Sequence, residues 1–394
     1  MVSFNRIFSI LLMCFLIASS TDISAQSAKA AMEKTVNSTL KAQILKEAAW
    51  ALKQQPLTVT AAASPRSAGG RHDFYSEGDY WWPDPAHPDG PYIQKDGISN
   101  PDNFVEHRQA MIRFSRIVGA LASAWKITTD PKYVAHAVLH LRAWFVNSAT
   151  RMNPNLLYAQ AIKGLFTGRG IGIIDTIHLI DVAHGIIVME PKISATDVAA
   201  IKSWFNEYLQ WLMSHPNGKA EMNAKNNHGT CFVAQVAAFA RLTNDSVLLK
   251  FCTERYKHIL LPNQMAEDGS FPLELARTKP YGYSIFNLDV MTVLCQVLSV
   301  PGDDLWNYST SDGKSVKKGI EYMYPYIKDK ATWPLKPDVM YWKEWPVAQP
   351  SLLFGALAYG KQDWLETWER LDHQPVVEEV IRNLPVKYPL IWMN

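Results

Sequence analysis

The chain has 394 residues, with 39 basic against 37 acidic side chains and a formal net charge of +2. So even a balance argues against a nucleic-acid binder, which carries a basic surplus. Beyond the first apolar run only Cys231, Cys252 and Cys295 remain, too few for a disulfide framework, so buried thiols are expected.

Residues 1–6 carry one positive charge, residues 7–18 are apolar, and Ser24-Ala25 offers a small-residue cleavage site. This is the pattern of a secretory signal peptide over 1–25. The mature chain, 26–394, is expected to be one catalytic domain, exported to the periplasm or beyond. No later run reaches the roughly 18 apolar residues that a membrane helix requires, so no membrane attachment is expected after cleavage.

Residues 28–55 read as a helix, with Leu40, Ile44, Ala48 and Leu52 at intervals of four. Residues 56–101 are rich in Pro, Gly and Asp and contain Tyr80-Trp81-Trp82-Pro83-Asp84-Pro85. A disordered loop would not carry so many rings, so this one is expected to be an ordered lid or cleft wall. Tyr80, Trp81 and Trp82 become candidate sugar-stacking residues. Helix follows over 102–127 on the stripe Met111, Phe114, Val118, Leu121, Trp125. His107 and Arg108 stand near its start as candidate contacts for an acidic chain. A second helix covers 131–146, with Asp130 as N-cap and Pro131 in the first turn. His136 and His140 lie off its apolar stripe and read as a solvated face.

Residues 171–174 are the best strand signal, although Gly172 interrupts them. Arg169, just before, could line a cleft. Asp175, His178, Asp181 and His184 recur every third residue, a spacing that drifts round a helix and cannot converge on one ion. They read as buried polar groups near a ring interior. Further helices are expected over 194–212, 231–242, 246–260, 283–298 and 314–327, with shorter ones after 349. About a dozen helices with one buried stripe each, and no fixed repeat, point to an all-α fold of paired helices. An α/α toroid with a cleft across one end fits best.

Two stretches between expected helices carry the chemistry, Asn226-Asn227-His228-Gly229-Thr230 and the segment from Glu274 to Tyr283. His228 would sit at a helix N-terminus, which disfavours a protonated imidazole and leaves a proton acceptor. The ordinary readings are a helix cap for the first stretch, and for the second a surface pair of Arg277 with Glu274 and a packing role for Tyr283. Together the residue types suit β-elimination from a uronate. Asn227 and Arg277 would neutralise the carboxylate and so acidify the proton at carbon 5. Tyr283 or His228 would remove that proton, and an acid would protonate the oxygen leaving carbon 4. Where proton and oxygen share a face, as in mannuronate and glucuronate, one tyrosine can serve both steps. In guluronate they lie on opposite faces, and His228 would act as base.

The aromatic hexapeptide from Tyr80 to Pro85, Asp96-Gly97 with Asn100-Pro101, Asn226-Asn227-His228 and Arg277…Tyr283, in this order, resemble the alginate lyase superfamily of α/α-toroid polysaccharide lyases. The spacing is nearest to polysaccharide lyase family 38. The resemblance implies Tyr283 as base and acid, His228 as its partner, and Asn227 with Arg277 at the carboxylate, with Tyr281 as the competing tyrosine and a candidate binding residue. It implies an acidic polysaccharide as substrate; no cofactor or metal is expected, because Arg277 and Asn227 can neutralise the carboxylate without one. The alternative is a glycoside hydrolase on a similar ring, drawing a carboxylate pair from Asp79, Asp84, Glu267, Asp268 and Glu344. A non-catalytic sugar-binding protein would need the aromatic rings but not His228 or Tyr283.

Overall fold

The structure, a computed structural model, describes residues 4–393, with side chains of residue 27 and from residue 29 onward. The expected signal segment over 1–25 lies outside the residues whose side chains are described.

Helices in chain order are α1 (Phe4–Ala51), α2 (Glu106–Thr128), α3 (Pro131–Phe145), α4 (Leu179–Met189), α5 (Ala195–Ser214), α6 (Pro216–Met222), α7 (Asn227–Thr243) and α8 (Ser246–Arg255). They continue with the short α9 (Leu261–Gln264) and α10 (Pro272–Leu275), then α11 (Pro280–Leu298), α12 (Val316–Lys328), α13 (Pro350–Tyr359), α14 (Gln362–Arg370) and α15 (Glu378–Arg382). The few strands are β1 (Tyr75–Glu77) parallel to β4 (Tyr158–Ala161), and β2 (Trp81–Trp82) antiparallel to β3 (Ile93–Gln94). Among the described residues no single helix is long and apolar enough to cross a membrane.

An inner row runs α2, α4, α7, α11, α13, each packed on the next. Outside it, α1 and α3 lie on α2, α5 and α8 on α7, α12 on α11, and α14 on α13. Helix α1 also touches α13 and α14, drawing the ends of the row together into an α/α toroid. The inner helices are buried on nearly every side, as a helix apolar all round must be. In α11 every residue except Tyr283 and Gln296 is buried. In α7 the exceptions are His228, Arg241 and Thr243. Truncating one such buried leucine, Leu288 for example, to alanine costs about 2–5 kcal/mol.

Several boundaries differ from the sequence expectation for identifiable reasons. Helix α2 starts at Glu106 rather than 102, because the Phe104 N–H is taken by Glu77 Oε2 at 2.8 Å. Helices α7 and α11 start earlier than expected, at Asn227 and Pro280. In each case a distant carboxylate accepts N–H groups that the first turn leaves free. Glu274 does so for Asn227 at 2.7 Å, and Asp338 for Tyr281 and Gly282, both at 2.9 Å. The expected strand over 171–174 is instead part of a 3-10 helix, Gly170–Thr176. It presses against β4 so closely that a Cβ on Gly172 would lie 2.5 Å from that of Ala159.

His136 and His140 are not a solvated face. His140 is buried, and burial pushes its pKa down to about 4. His136 Nε2 bonds the Gln54 carbonyl at 3.1 Å. Asp175, His178 and Asp181 are buried: Asp175 accepts from Ser76 at 2.5 Å, His178 meets Lys387 Nζ at 2.8 Å, and Asp181 accepts from Trp392 Nε1 at 2.7 Å and from the Lys387 backbone N–H at 2.9 Å. His184 stacks on Trp392.

Candidate active site

A cleft of about 410 Å³ opens where α7 and α11 begin. One wall is the segment from Asp79 to Trp81 with Gln94 and Asp96 from the following hairpin, and the floor includes Gln160 and the 3-10 helix. Asn227, His228, Arg277, Tyr283, Tyr80 and Trp81 all line it. Residues from three distant parts of the chain therefore converge on one space.

Asn227 opens α7. Its backbone N–H and its Nδ2 both donate to Glu274, at 2.7 and 2.8 Å. Glu274 is buried, and burial raises its pKa against the bonds from Asn227. One amide hydrogen and the Oδ1 of Asn227 remain for the cleft. His228, next in the first turn, sets Nδ1 2.6 Å from Glu221 Oε1. A carboxylate there accepts from Nδ1–H, so Nε2 carries the free lone pair. Nε2 has no protein partner among the described residues.

Tyr283 donates its phenol hydrogen to the Tyr80 oxygen at 2.9 Å. Burial drives the Tyr283 pKa up; the Arg277 guanidinium, 4.6 Å above its ring, pulls the other way. Burial also raises Tyr80. Lys279 Nζ, itself paired with Glu379 at 2.9 Å, stands 3.3 Å from the Tyr80 oxygen. No hydrogen bond joins Tyr283 to His228 among the described residues. The hydrogen-bond partner of the Tyr283 phenol is Tyr80, and His228 is bonded to Glu221 instead.

Arg277 lines the cleft, but its guanidinium is not free. Nη2 meets Asp96 Oδ1 at 2.7 Å and Nε meets Oδ2 at 3.3 Å. Burial opposes ionisation of Asp96, yet these bonds and the Thr278 hydroxyl hold its carboxyl below the usual range. The surface pair with Glu274 does not form: the partner is Asp96.

Four other candidates stand away from the cleft. Trp82 follows Trp81 in β2 and so faces the opposite side; its Nε1 donates to the Ile98 carbonyl at 2.9 Å. His107 is buried under the loop. It accepts from the Tyr75 N–H at Nδ1 and bonds the Ala62 carbonyl through Nε2, both at 3.0 Å, and burial lowers its pKa. Arg108 is buried against Asp79 at 2.7 Å and supports the wall from behind. Tyr281 is buried too. Its hydroxyl donates to the Tyr326 carbonyl at 3.0 Å, its ring packs on Trp333 and Trp342, and burial raises its pKa. Two residues apart on a helix point in different directions, and only Tyr283 of the two reaches the cleft.

The sequence reading missed Glu221, Gln160, Arg382 and Asn383. The last two come from the C-terminal segment, and Arg382 pairs with Asp79 at 2.5 Å. Glu221 lies in α6, across a helix break from His228, where no periodicity links them.

A family model described as alginate lyase matches residues 58–333. The structure is similar to the crystal structure of an alginate lyase from Bacteroides ovatus, with 30% identity, a TM-score of 0.79, and coverage of 93% of this chain and 97% of that one. It shares a fold, at 15% identity and a TM-score of 0.59, with a histidine-to-alanine variant of alginate lyase A1-III complexed with a tetrasaccharide, covering 87% of this chain and 89% of that one. No curated protein matches the chain.

Proposed function

The chain belongs to the alginate lyase family and is a polysaccharide lyase, and from that premise we propose that it cleaves alginate by β-elimination, leaving 4,5-unsaturated uronate ends. The observation that carries this reading is the convergence of Asn227, His228, Arg277 and Tyr283 on one cleft. The similar Bacteroides ovatus protein is an alginate lyase.

In this reading Tyr283, as the phenolate, takes the proton from carbon 5 and, now a phenol, gives it to the oxygen leaving carbon 4. Tyr80 holds the other end of that hydrogen bond. Arg277, anchored by Asp96, favours the phenolate from above the ring. Asn227, fixed by Glu274, offers its remaining amide hydrogen to the uronate carboxylate. His228 presents Nε2 as the base for a residue whose proton lies on the other face. None of these steps calls for a metal or cofactor. Trp81 is the stacking platform, and the loop that carries it is a cleft wall that closes over the polymer. The order of the motifs supports placement near polysaccharide lyase family 38, and the apolar segment over 7–18 supports export with removal of residues 1–25.

The hydrolase alternative is weakened by its own carboxylates. Of the acids it would draw on, only Asp79 lines the cleft. Burial opposes its ionisation, but Arg108 and Arg382 grip it and hold its pKa below the ordinary value. A hydrolase needs a proton-bearing acid. Digestion of mannuronan, guluronan, mixed alginate and glucuronan, read by the ultraviolet absorbance of the conjugated double bond, tests the proposal. New reducing ends without that absorbance would replace elimination by hydrolysis.

A further inference from the structure

Three arginines line the cleft, and two are already neutralised. Asp96 holds Arg277, and Arg382 is shared among Asp79, Asp175 and Glu379. Arg169 differs: among the described residues no acidic side chain forms an ion pair with it. Its Nε donates to the Gln160 carbonyl at 2.9 Å and its Nη2 to Gln160 Oε1 at 3.3 Å. Both partners are neutral. A guanidinium has five N–H donors, so Nη1 and one hydrogen of Nη2 have no protein acceptor.

The surroundings hold this cation in place. Its Cζ lies 5.8 Å from the centre of the Trp81 ring. Behind it Gly78 leaves room, since a Cβ there would come 3.0 Å from Nη2. Gln160 braces it with a backbone at φ 48°, the left-handed region that a non-glycine residue rarely occupies. That conformation is secured by Ser76, whose Oγ accepts the Gln160 N–H at 2.8 Å and donates to Asp175 at 2.5 Å. Strained backbone persists where the surroundings over-determine it, and such positions cluster at ligand sites. Burial lowers the Arg169 pKa, and the fields of Asp175, Asp79 and Glu221, none of which bonds it, only partly oppose that.

We propose that Arg169 is the charge-reading residue of the cleft: its unbonded Nη edge receives a uronate carboxylate of the polymer while Trp81 stacks against the same sugar stretch. This inference rests on the lyase reading and deepens it. The sequence placed Arg277 at the carboxylate; here Arg277 serves the phenol and Arg169 binds the acid.

Binding is measured by calorimetry in a Tyr283→Phe background, with a saturated mannuronate trisaccharide and with its methyl ester. Arg169→Met is expected to weaken binding of the acid about ten- to a hundredfold, the range for a lost hydrogen bond to a charged group, and to leave binding of the ester within about threefold. Arg169→Lys keeps the charge but not the fork and should fall between. Unchanged affinity for the acid in Arg169→Met overturns the proposal, and so does an equal loss for acid and ester. If the methionine variant does not fold, a lysine variant that binds the acid like the parent overturns it as well. The ultraviolet assay on the unsubstituted chain reports the lyase reading separately, so failure of one is not failure of the other.

Discussion

At the scale of single residues the cleft separates pairs that the sequence leaves together. Tyr281 and Tyr283 are the sharpest case. The first is sealed among Trp333, Trp342 and the Tyr326 carbonyl, the second opens on the cleft. Tyr283→Phe is therefore expected to cut turnover about 100- to 10,000-fold, the usual contribution of a positioned acid–base group, with binding of the polymer retained. Tyr281→Phe should leave turnover near the parent value and cost about 1 kcal/mol of stability, the net worth of one hydrogen bond. Steady-state rates together with denaturant melts decide this, and the reverse pattern would hand the catalytic role to Tyr281. Trp81 and Trp82 are the second case. Trp81→Ala should raise KM with little change in melting temperature, whereas Trp82→Ala should lower the melting temperature and spare KM. Equal effects on KM would put both rings in the cleft. Asn227, His228, Arg277 and Tyr283 were legible as a set because each is a recognisable chemical type in a breaker-rich segment. Their partners Glu274, Glu221, Asp96 and Tyr80 were not, because a hydrogen bond across 7 to 203 residues leaves no periodic trace.

At the scale of elements, the cleft-lining groups Asn227, His228 and Tyr283 sit where inner helices begin. Helix α7 starts on Glu274 and α11 on Asp338, so an acid from another segment sets the register of the side chains that follow. Asp338→Ala removes the acceptor for two N–H groups at the start of α11. It is expected to cost about 1–2 kcal/mol of stability, as lost N-caps do. Because Tyr283 lies in that first turn, kcat should fall along with it. Chemical denaturation and initial rates measure the two effects; a drop in stability with unaltered kcat would show that the turn holds Tyr283 without the cap. Local signals did well where the cap is local: Asp130 with Pro131 starts α3 as read, and α5 starts just after residue 194, where the Ser194 side chain accepts the Asp197 N–H. They failed at α7, α11 and the 3-10 helix of residues 170–176, where tertiary contacts overrule local preference.

At the scale of the whole molecule the toroid buries ionisable groups between its inner helices, and these tie stability to pH. Asp289 of α11 is fully buried and accepts the Ser351 N–H of α13 at 3.1 Å. Burial raises its pKa from 3.8 to about 7, the Ser351 bonds opposing. The folded state then holds a proton that the unfolded chain has released, so stability is greatest below about pH 4 for this group and declines as pH rises through about 7. Asp289→Asn should flatten that decline in melts taken across the interval. An unchanged slope would assign it to another group.

The sequence by itself determined the all-α class, the pairing of helices and the chemical types of the site, because apolar periodicity and residue chemistry are local properties of a chain. Only the tertiary structure decided which tyrosine and which tryptophan face the cleft, that Arg277 is already paired with an acid, and that Arg169 forms no ion pair among the described residues. Those facts depend on which groups meet across a folded ring, and the approach of a carboxylate to a guanidinium is a matter of distance in space, which linear order does not encode.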